Sequence, residues 1–258
     1  MKFLTKILLI SSFWFPAQAH AFSVHHDFAC RLGVFDPGSI GFTYNLTPET
    51  YAVTSTIKTG GFFDTLYPFK AVYNTTGRID NDKLETASYK YQSASRFTTR
   101  TRELIYDKNG QPLYETSSKN GKEKKKTVTW SKKTDEFTDL QTIIAEMVKR
   151  YNKLKSCDSQ MQVFDGKRRY KVIFKEDGQE QLKKNEFSPL EGTATKCSLY
   201  IDKLAETGDD LLWQITSDKP IYFWILEQDG HPFIARIEVK ETPLGPLRLY
   251  AQKITIKE

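Results

Sequence analysis

Apolar and polar residues alternate along most of the chain, as they do in strands that bury one face. In residues 51–58, tyrosine, valine and isoleucine alternate with threonine and lysine. The same period of two runs through residues 87–92 and 233–240. Antiparallel sheets commonly bury one face and expose the other, so these segments predict antiparallel strands.

Pairs of asparagine or aspartate with glycine separate the alternating segments. Such pairs supply the positive φ angles that two-residue hairpin turns require. We therefore expect tight turns at Asn109-Gly110, Asn120-Gly121, Asp165-Gly166, Asp177-Gly178 and Asp229-Gly230.

Residues 138–155 follow a helical period instead. Thr138 and Gln141 have the spacing of a capping box, and basic residues gather at the far end, where they complement the helix dipole. Apolar side chains recur at intervals of three and four, so they form one stripe of an amphipathic helix: Leu140, Ile143, Ile144, Met147, Val148, Tyr151 and Leu154. We expect this stripe to pack against a sheet face.

These elements predict a mostly β fold. We expect a curved antiparallel sheet, half-open and barrel-like, wrapped over one long central amphipathic helix. Strands would lie within residues 40–135 and 160–257, with the helix at 138–155 between them. Residues 222–226 are apolar throughout, which is typical of a strand that is covered on both faces. Residues 22–258 would then form a single domain.

The N-terminal residues have the pattern of a secretory signal peptide. Lys2 and Lys6 precede an apolar run, and small residues follow at the spacing of a cleavage site after Ala21. The apolar run is about half of the roughly 20 residues that a membrane span needs. We therefore expect residues 1–21 to be removed and the mature chain to reside in the periplasm without a transmembrane helix.

The charge pattern argues against a nucleic-acid partner. The formal net charge of +6 falls to +4 once Lys2 and Lys6 are removed, and no single basic face is evident. The densest positive run is residues 119–126, followed by Lys132 and Lys133. This run is either the solvated tip of a hairpin or a contact for an anionic membrane surface.

Known catalytic patterns are absent from the sequence. It contains no GxSxG motif, and the acidic pairs Asp135-Glu136 and Asp209-Asp210 are sequence neighbours that a strand would point to opposite faces. His25, His26 and Cys30 offer a thiol with a base, or metal ligands, but we expect their segment to be loosely held near the terminus. We predict no catalytic residues, no metal and no cofactor.

Three cysteines remain in the mature chain. An exported chain folds under oxidising conditions, where a disulfide is the default. Cys157 follows the helix and Cys197 lies in a predicted strand, whereas Cys30 is near the terminus. We therefore predict a Cys157–Cys197 disulfide, and the fate of Cys30 stays open.

Two segments suggest a ligand site, and each has a purely structural alternative. Large apolar residues cluster at 62–69, in a predicted loop that either covers the core or forms the entrance to an apolar cavity. Arg168 follows the Asp165-Gly166 turn and shares the strand face of Tyr170. It is either part of a simple turn or lies at the rim of the buried face, where it would meet an anionic headgroup. The candidate ligand-binding residues are Phe62, Phe63, Leu66, Tyr67, Phe69 and Arg168.

Residues 59–79 and 163–174, with Cys157 ahead of the second motif and Cys197 after it, resemble domain-of-unknown-function family 3108 of exported proteobacterial proteins. The likeness extends from about residue 40 to the closing motif at 242–254. This resemblance implies a Cys157–Cys197 pair and no established activity. The predicted architecture is also similar to the half-open barrels of the periplasmic lipoprotein carriers LolA and LolB, a likeness at the level of the fold.

Three functions are compatible with these features. The first is a non-enzymatic periplasmic protein of the cell envelope that binds a hydrophobic or lipid-like ligand between sheet and helix. The second is an envelope scaffold whose core is filled by its own helix and whose exposed charges bind a protein or the cell wall. The third is an envelope hydrolase that is built from scattered carboxylates.

Overall fold

The computed structural model describes residues 22–108, 110–128, 137–166, 168–204, 215–242 and 244–257. The predicted signal peptide at 1–21, Lys132 and Lys133 of the positive run, and the acidic pairs at 135–136 and 209–210 lie outside these ranges. Fourteen strands and two helices make up the described part. In chain order they are β1 (Phe22–Leu32), β2 (Gly38–Leu46), β3 (Thr50–Thr59), α1 (Gly61–Leu66), β4 (Phe69–Asp80), β5 (Lys83–Ser95), β6 (Thr99–Tyr106), β7 (Pro112–Lys119), β8 (Lys122–Thr127), α2 (Leu140–Leu154), β9 (Ser159–Phe164), β10 (Arg169–Leu182), β11 (Gly192–Lys203), β12 (Ile221–Gln228), β13 (His231–Val239) and β14 (Leu247–Lys257).

All fourteen strands belong to one antiparallel sheet, as the alternating pattern predicts. Their order is β8-β7-β6-β5-β4-β3-β2-β1-β14-β13-β12-β11-β10-β9. Strand β1 pairs with β2 on one side and with β14 on the other, so it joins the two parts of the sheet. The expectation of a loosely held segment around Cys30 is therefore wrong. The buried side chains of β1 include His26, and this polar residue hides the apolar alternation in the sequence.

Strands β8 and β9 are the two edges of the sheet, and within the described ranges the sheet does not close. Its curvature nevertheless brings β6 against the turn between β9 and β10. The Tyr106 hydroxyl donates to the Phe164 carbonyl at 3.3 Å, and the Arg102 guanidinium donates to the Asp165 carbonyl at 3.2 Å. The architecture is thus mostly β and barrel-like in its curvature.

Helix α2 begins one residue later than the capping box predicts. Its N-cap is Asp139, whose carboxylate accepts hydrogen bonds from the backbone N–H groups of Gln141 and Thr142 at 2.9 and 3.2 Å. Thr138 instead extends the sheet, because its N–H donates to the Gln162 carbonyl and its carbonyl accepts from Phe164 N–H. The prediction of Thr138 as the cap is therefore wrong, since a strand contact uses its backbone.

The apolar stripe of α2 packs against strands β9–β12. Ile143, Met147 and Tyr151 are buried in the main core, where they meet side chains of these four strands. On another side of the helix, Ala145 is buried against β2, β3 and β5. Helix α2 therefore contacts both parts of the sheet. Leu154 does not join the core and is 58% exposed, in contrast to its predicted place in the stripe.

A buried polar cluster lies between α2 and strands β3–β5. The Asp139 carboxylate also accepts hydrogen bonds from the hydroxyl groups of Thr75, Thr86 and Thr142, at 2.8, 2.9 and 2.6 Å. The Tyr51 hydroxyl lies 2.7 Å from the Thr142 hydroxyl and completes the cluster. Because every one of these side chains is buried, the hydrogen bonds compensate for the loss of water. The apolar period of the sequence gives no sign of this second buried helix face.

Strand β12 is covered on both faces, as the apolar run at 222–226 predicts. Phe223 and Ile225 belong to the main core, next to α2. Trp224 faces the other way into a second cluster, and its indole N–H donates to Glu180 at 3.0 Å. Glu180 also accepts from Arg236 at 2.8 Å, which fixes the guanidinium over the Trp224 ring.

Asn109 lies outside the described residues, so the predicted turn at Asn109-Gly110 is not described. Of the four other predicted turns, three are right and one is wrong. Asn120-Gly121, Asp165-Gly166 and Asp229-Gly230 each lie between paired strands. The pair Asp177-Gly178 instead lies inside β10, where the register shifts at a β-bulge. A bulge also uses a glycine with positive φ, so the dipeptide alone does not distinguish the two structures. Asn81 and Asp82 form an unpredicted hairpin turn with positive φ at both residues.

The predicted disulfide between Cys157 and Cys197 is confirmed. It joins the segment after α2 to β11, and both side chains are fully buried in the main core. Cys30 is a free, partly buried cysteine.

Candidate functional site

The aromatic segment forms α1 and the start of β4 rather than a loop. Helix α1 has no buried residue, although three of its six residues and its C-cap, Tyr67, are large and apolar. Phe62, Leu66 and Tyr67 are more than half exposed, while Phe63 and Phe69 are partly buried. Large apolar side chains that form an exposed patch, without packing into the core, commonly mark a binding surface.

Further exposed apolar residues lie at the same end of the sheet. They come from the connections β1–β2, β5–β6 and β13–β14, which the meander places beside the β3–β4 connection that contains α1. Each is between 47% and 87% exposed. We call this set the apolar end surface: Val34, Phe35, Phe62, Leu66, Tyr67, Phe97 and Leu244.

Backbone hydrogen bonds tie these connections to each other. Gly33 N–H donates to the Pro246 carbonyl at 3.1 Å, and Gly60 N–H donates to the Pro37 carbonyl at 3.0 Å. The Arg96 guanidinium donates to the Thr65 carbonyl at 2.8 Å, which links the β5–β6 turn to α1. The four connections are therefore linked in one row, from the β13–β14 connection to the β5–β6 turn.

Ring contacts and one threonine hold α1 in place. Phe63 packs edge-to-face on Phe35, with ring centroids 5.7 Å apart. The Thr59 hydroxyl accepts from Phe69 N–H at 2.8 Å and lies 2.9 Å from a carboxylate oxygen of Asp64. These contacts close the base of the segment, so the exposed side chains of α1 are presented in a fixed arrangement.

Arg168 lies on a different element and has an internal partner. Its side chain is only 13% exposed, and its guanidinium pairs with the Asp165 carboxylate at 2.5 Å. Its backbone N–H donates to the same carboxylate at 2.8 Å, so Arg168 closes the β9–β10 turn. The structure therefore does not bring Arg168 together with the aromatic residues as one site.

A shallow groove of about 470 Å³ lies elsewhere, at the edge of the sheet formed by β9. Residues 158–160 and 173–176 line it. None of the predicted ligand-binding residues lies in this groove.

The histidines and the free cysteine of β1 do not form an activated nucleophile. Burial against Phe28, Phe42 and Phe233 lowers the pKa of His26 to about 4. Burial also raises the pKa of the Cys30 thiol to about 11, with a smaller contribution from Asp36. A catalytic cysteine needs a lowered pKa, so this environment does the opposite.

The described ranges contain neither a candidate metal site nor a candidate membrane-spanning helix. No group of three or more histidine, cysteine, aspartate or glutamate residues there has the geometry of a metal site. No helix there has both the length and the apolar character to cross a membrane.

Comparison with known proteins identifies the family. The sequence model of family DUF3108, which is described as a protein of unknown function, matches residues 27–252. The chain belongs to the DUF3108 family. The comparison with curated proteins gives no match.

One solved structure supports the architecture of this DUF3108 protein. It is a β-barrel-like protein of domain of unknown function DUF1849 from Brucella abortus, similar with a TM-score of 0.52 and 11% sequence identity. The alignment covers 93% of this chain and 99% of that chain. At this identity the likeness concerns the fold alone. The similarity to LolA and LolB stays a prediction.

Sequence reasoning missed four members of the apolar end surface in this DUF3108 protein: Val34, Phe35, Phe97 and Leu244. Each lies in a connection between strands, in a stretch that also contains glycine, proline or serine. A large apolar residue inside such a turn was the available signal, because turns are normally exposed and polar.

Proposed function

We propose that this protein is a non-enzymatic component of the periplasmic cell envelope that binds a lipid-like ligand through the apolar end surface. The single observation that carries the proposal is the row of exposed apolar side chains across four hydrogen-bonded connections. The predicted signal peptide and the Cys157–Cys197 disulfide support the compartment, since disulfides persist where conditions are oxidising.

The position of α2 supports a ligand at the end surface rather than between sheet and helix. Ile143 and Met147 occupy that space together with core side chains of β9–β12. The aromatic residues of α1 thus act as the binding surface itself, and not as the entrance to an interior site. Arg168 is left out of the proposed site because Asp165 already holds its guanidinium.

The same core packing favours a second candidate function, the envelope scaffold. In that case, the interior is filled by the protein itself, and the apolar end surface binds an envelope protein. The two candidates differ in whether a small apolar molecule is sufficient to occupy the surface.

An uncharged apolar fluorescent probe, N-phenyl-1-naphthylamine, tests the first candidate. We expect the purified protein to bind it, and the Phe62→Ser/Tyr67→Ser variant to bind at least about tenfold more weakly, because two large apolar contacts are lost. The variant Leu113→Ser/Leu154→Ser removes two exposed apolar residues from other places and serves as the matched control.

Unchanged probe binding in Phe62→Ser/Tyr67→Ser, with an unchanged melting temperature, would overturn the lipid site. Absence of probe binding in the natural protein would overturn it as well and favour the scaffold. Mass spectrometry of lipids extracted from the gently purified protein then identifies a natural ligand.

A further inference from the structure

A strongly positive hairpin adjoins the apolar end surface. The turn between β7 and β8 lies directly beside the β5–β6 turn, because Asn120 N–H donates to the Thr99 carbonyl at 3.0 Å. The Asn120 side chain accepts from Thr99 N–H at 2.8 Å and donates to the Phe97 carbonyl at 3.4 Å. Phe97, which is 80% exposed, therefore stands next to the tip of this hairpin.

Residues 119–126, which we call the lysine hairpin, contain five lysines and one glutamate, so their net charge is 5 − 1 = +4. Every residue of β8 is exposed. The lysine residues are Lys119, Lys122, Lys124, Lys125 and Lys126.

Protection of a sheet edge explains part of this charge. Strand β8 is an edge strand, and lysine residues on an edge prevent pairing with another chain. That explanation does not apply to Lys119, which lies on β7 and is paired on both sides, with Arg100 and with Lys122. It also does not explain why the charge lies beside a row of exposed aromatic side chains.

The negative groups around the apolar end surface have internal partners. Asp36 forms an ion pair with Arg31 at 2.6 Å, and Asp64 lies 2.9 Å from the Thr59 hydroxyl. Across the turn, Arg96 is joined to α1 through the Thr65 carbonyl. Near Phe97, the Arg96 guanidinium and the lysine hairpin, with its net charge of +4, make the rim positive.

From this arrangement we infer that the apolar end surface docks onto an anionic membrane surface, with the lysine hairpin against the lipid headgroups. Phe62, Leu66, Tyr67 and Phe97 enter the boundary between headgroups and acyl chains, while the lysine side chains meet phosphate groups. Membrane binding by peripheral proteins combines these two contributions, buried apolar area and attraction to anionic lipids. This inference rests on the proposed function and names the anionic bilayer as the source of the lipid.

Cosedimentation with vesicles tests the inference. We compare vesicles of phosphatidylcholine alone with vesicles that contain phosphatidylglycerol, at low and at physiological salt. We expect binding only to the anionic vesicles, and weaker binding at higher salt because the charges are exposed.

The variant Lys119→Gln/Lys122→Gln/Lys124→Gln should bind anionic vesicles about 100-fold more weakly, at roughly fivefold for each lysine at the surface. The variant Lys183→Gln/Lys253→Gln/Lys257→Gln loses the same charge from exposed positions away from the hairpin, and its binding should stay within a few-fold of the natural protein. Equal weakening in both variants would show attraction by net charge alone and overturn the inference.

Phe97→Ser separates docking from misfolding. Its side chain is exposed, so the melting temperature should not change, whereas vesicle binding should fall severalfold. Probe binding without vesicle binding would reject the membrane and leave the proposed function intact. If the natural protein binds neither the probe nor anionic vesicles, both proposals are rejected.

Discussion

The Asp139 carboxylate accepts a 2.9 Å hydrogen bond from the Thr86 hydroxyl, across the boundary between the N-cap of α2 and strand β5. The same carboxylate accepts two backbone N–H groups of the helix. One buried side chain thus both starts the helix and attaches it to the sheet.

Substitution of Asp139 should therefore destabilise the whole fold. In Asp139→Asn, the new amide group faces hydroxyl and N–H donors, and buried polar groups lose their acceptor. We expect the free energy of unfolding to fall by about 2–4 kcal/mol, measured by chemical denaturation. Asp80→Asn, at an exposed position at the end of β4, is the control. A change below about 1 kcal/mol in Asp139→Asn would contradict this role.

His26 should make stability depend on pH. Its pKa is about 4 in the folded protein, against 6.5 for an ordinary histidine, mainly because of burial. The unfolded chain therefore binds a proton between pH 6.5 and 4 that the folded protein does not. Stability should fall as the pH falls through this window, by up to about 3 kcal/mol from this residue.

The variant His26→Leu cannot take up this proton. We expect its free energy of unfolding to change less between pH 6.5 and 4 than that of the natural protein, in denaturation series at several pH values. His231→Gln, which replaces the histidine at the β12–β13 turn, is the matched control. If the free energy of unfolding changes with pH by the same amount in His26→Leu and in the natural protein, His26 is not the cause of the pH dependence.

Removal of the disulfide should lower stability substantially. The bond closes a loop with a sequence separation of 40 residues, which corresponds to about 4 kcal/mol in the chain-entropy model. We expect Cys157→Ala/Cys197→Ala to lose at least about this amount, since both side chains are also buried in the main core. Cys30→Ala keeps the disulfide and should lose much less in the same denaturation experiment.

The Cys30 thiol should react slowly with alkylating agents. With a pKa of about 11, its thiolate fraction at pH 8 is about two orders of magnitude below that of an ordinary cysteine. We expect iodoacetamide to modify the native protein about 100-fold more slowly than the denatured, disulfide-intact protein, followed by mass spectrometry. Similar alkylation rates in the native and denatured states would show that the native thiol is accessible and that its pKa is not raised.

The sequence predicts the strands well where alternation is strong. Local periods and turn chemistry predict the antiparallel sheet, three of its hairpin turns and the helix, and the positions of the three cysteines in an exported chain predict the disulfide. The sequence pattern fails at β1, where His26 takes a buried position among aromatic rings, and at Ala87, where a bulge in the β4–β5 pairing changes which side chains are buried. Such bulges and buried polar positions depend on neighbouring strands and are not visible locally.

The sequence predicts only part of the candidate site. The segment at 62–69 is conspicuous because its apolar residues are consecutive. Val34, Phe97 and Leu244 are distant from it in the chain, and only the order of strands brings their turns to the same end. Strand order depends on long-range pairing, which a single sequence does not specify.

The position of β1 also determines when the fold can form. Ser23 pairs with Lys257, a separation of 257 − 23 = 234 positions, so the strand made early acquires one of its two neighbours only from the last strand of the sheet. Pairing over such distances slows folding, because a long loop must close before the contact is gained. Until β14 is in place, β1 therefore presents an unpaired edge, and the two parts of the sheet remain separate.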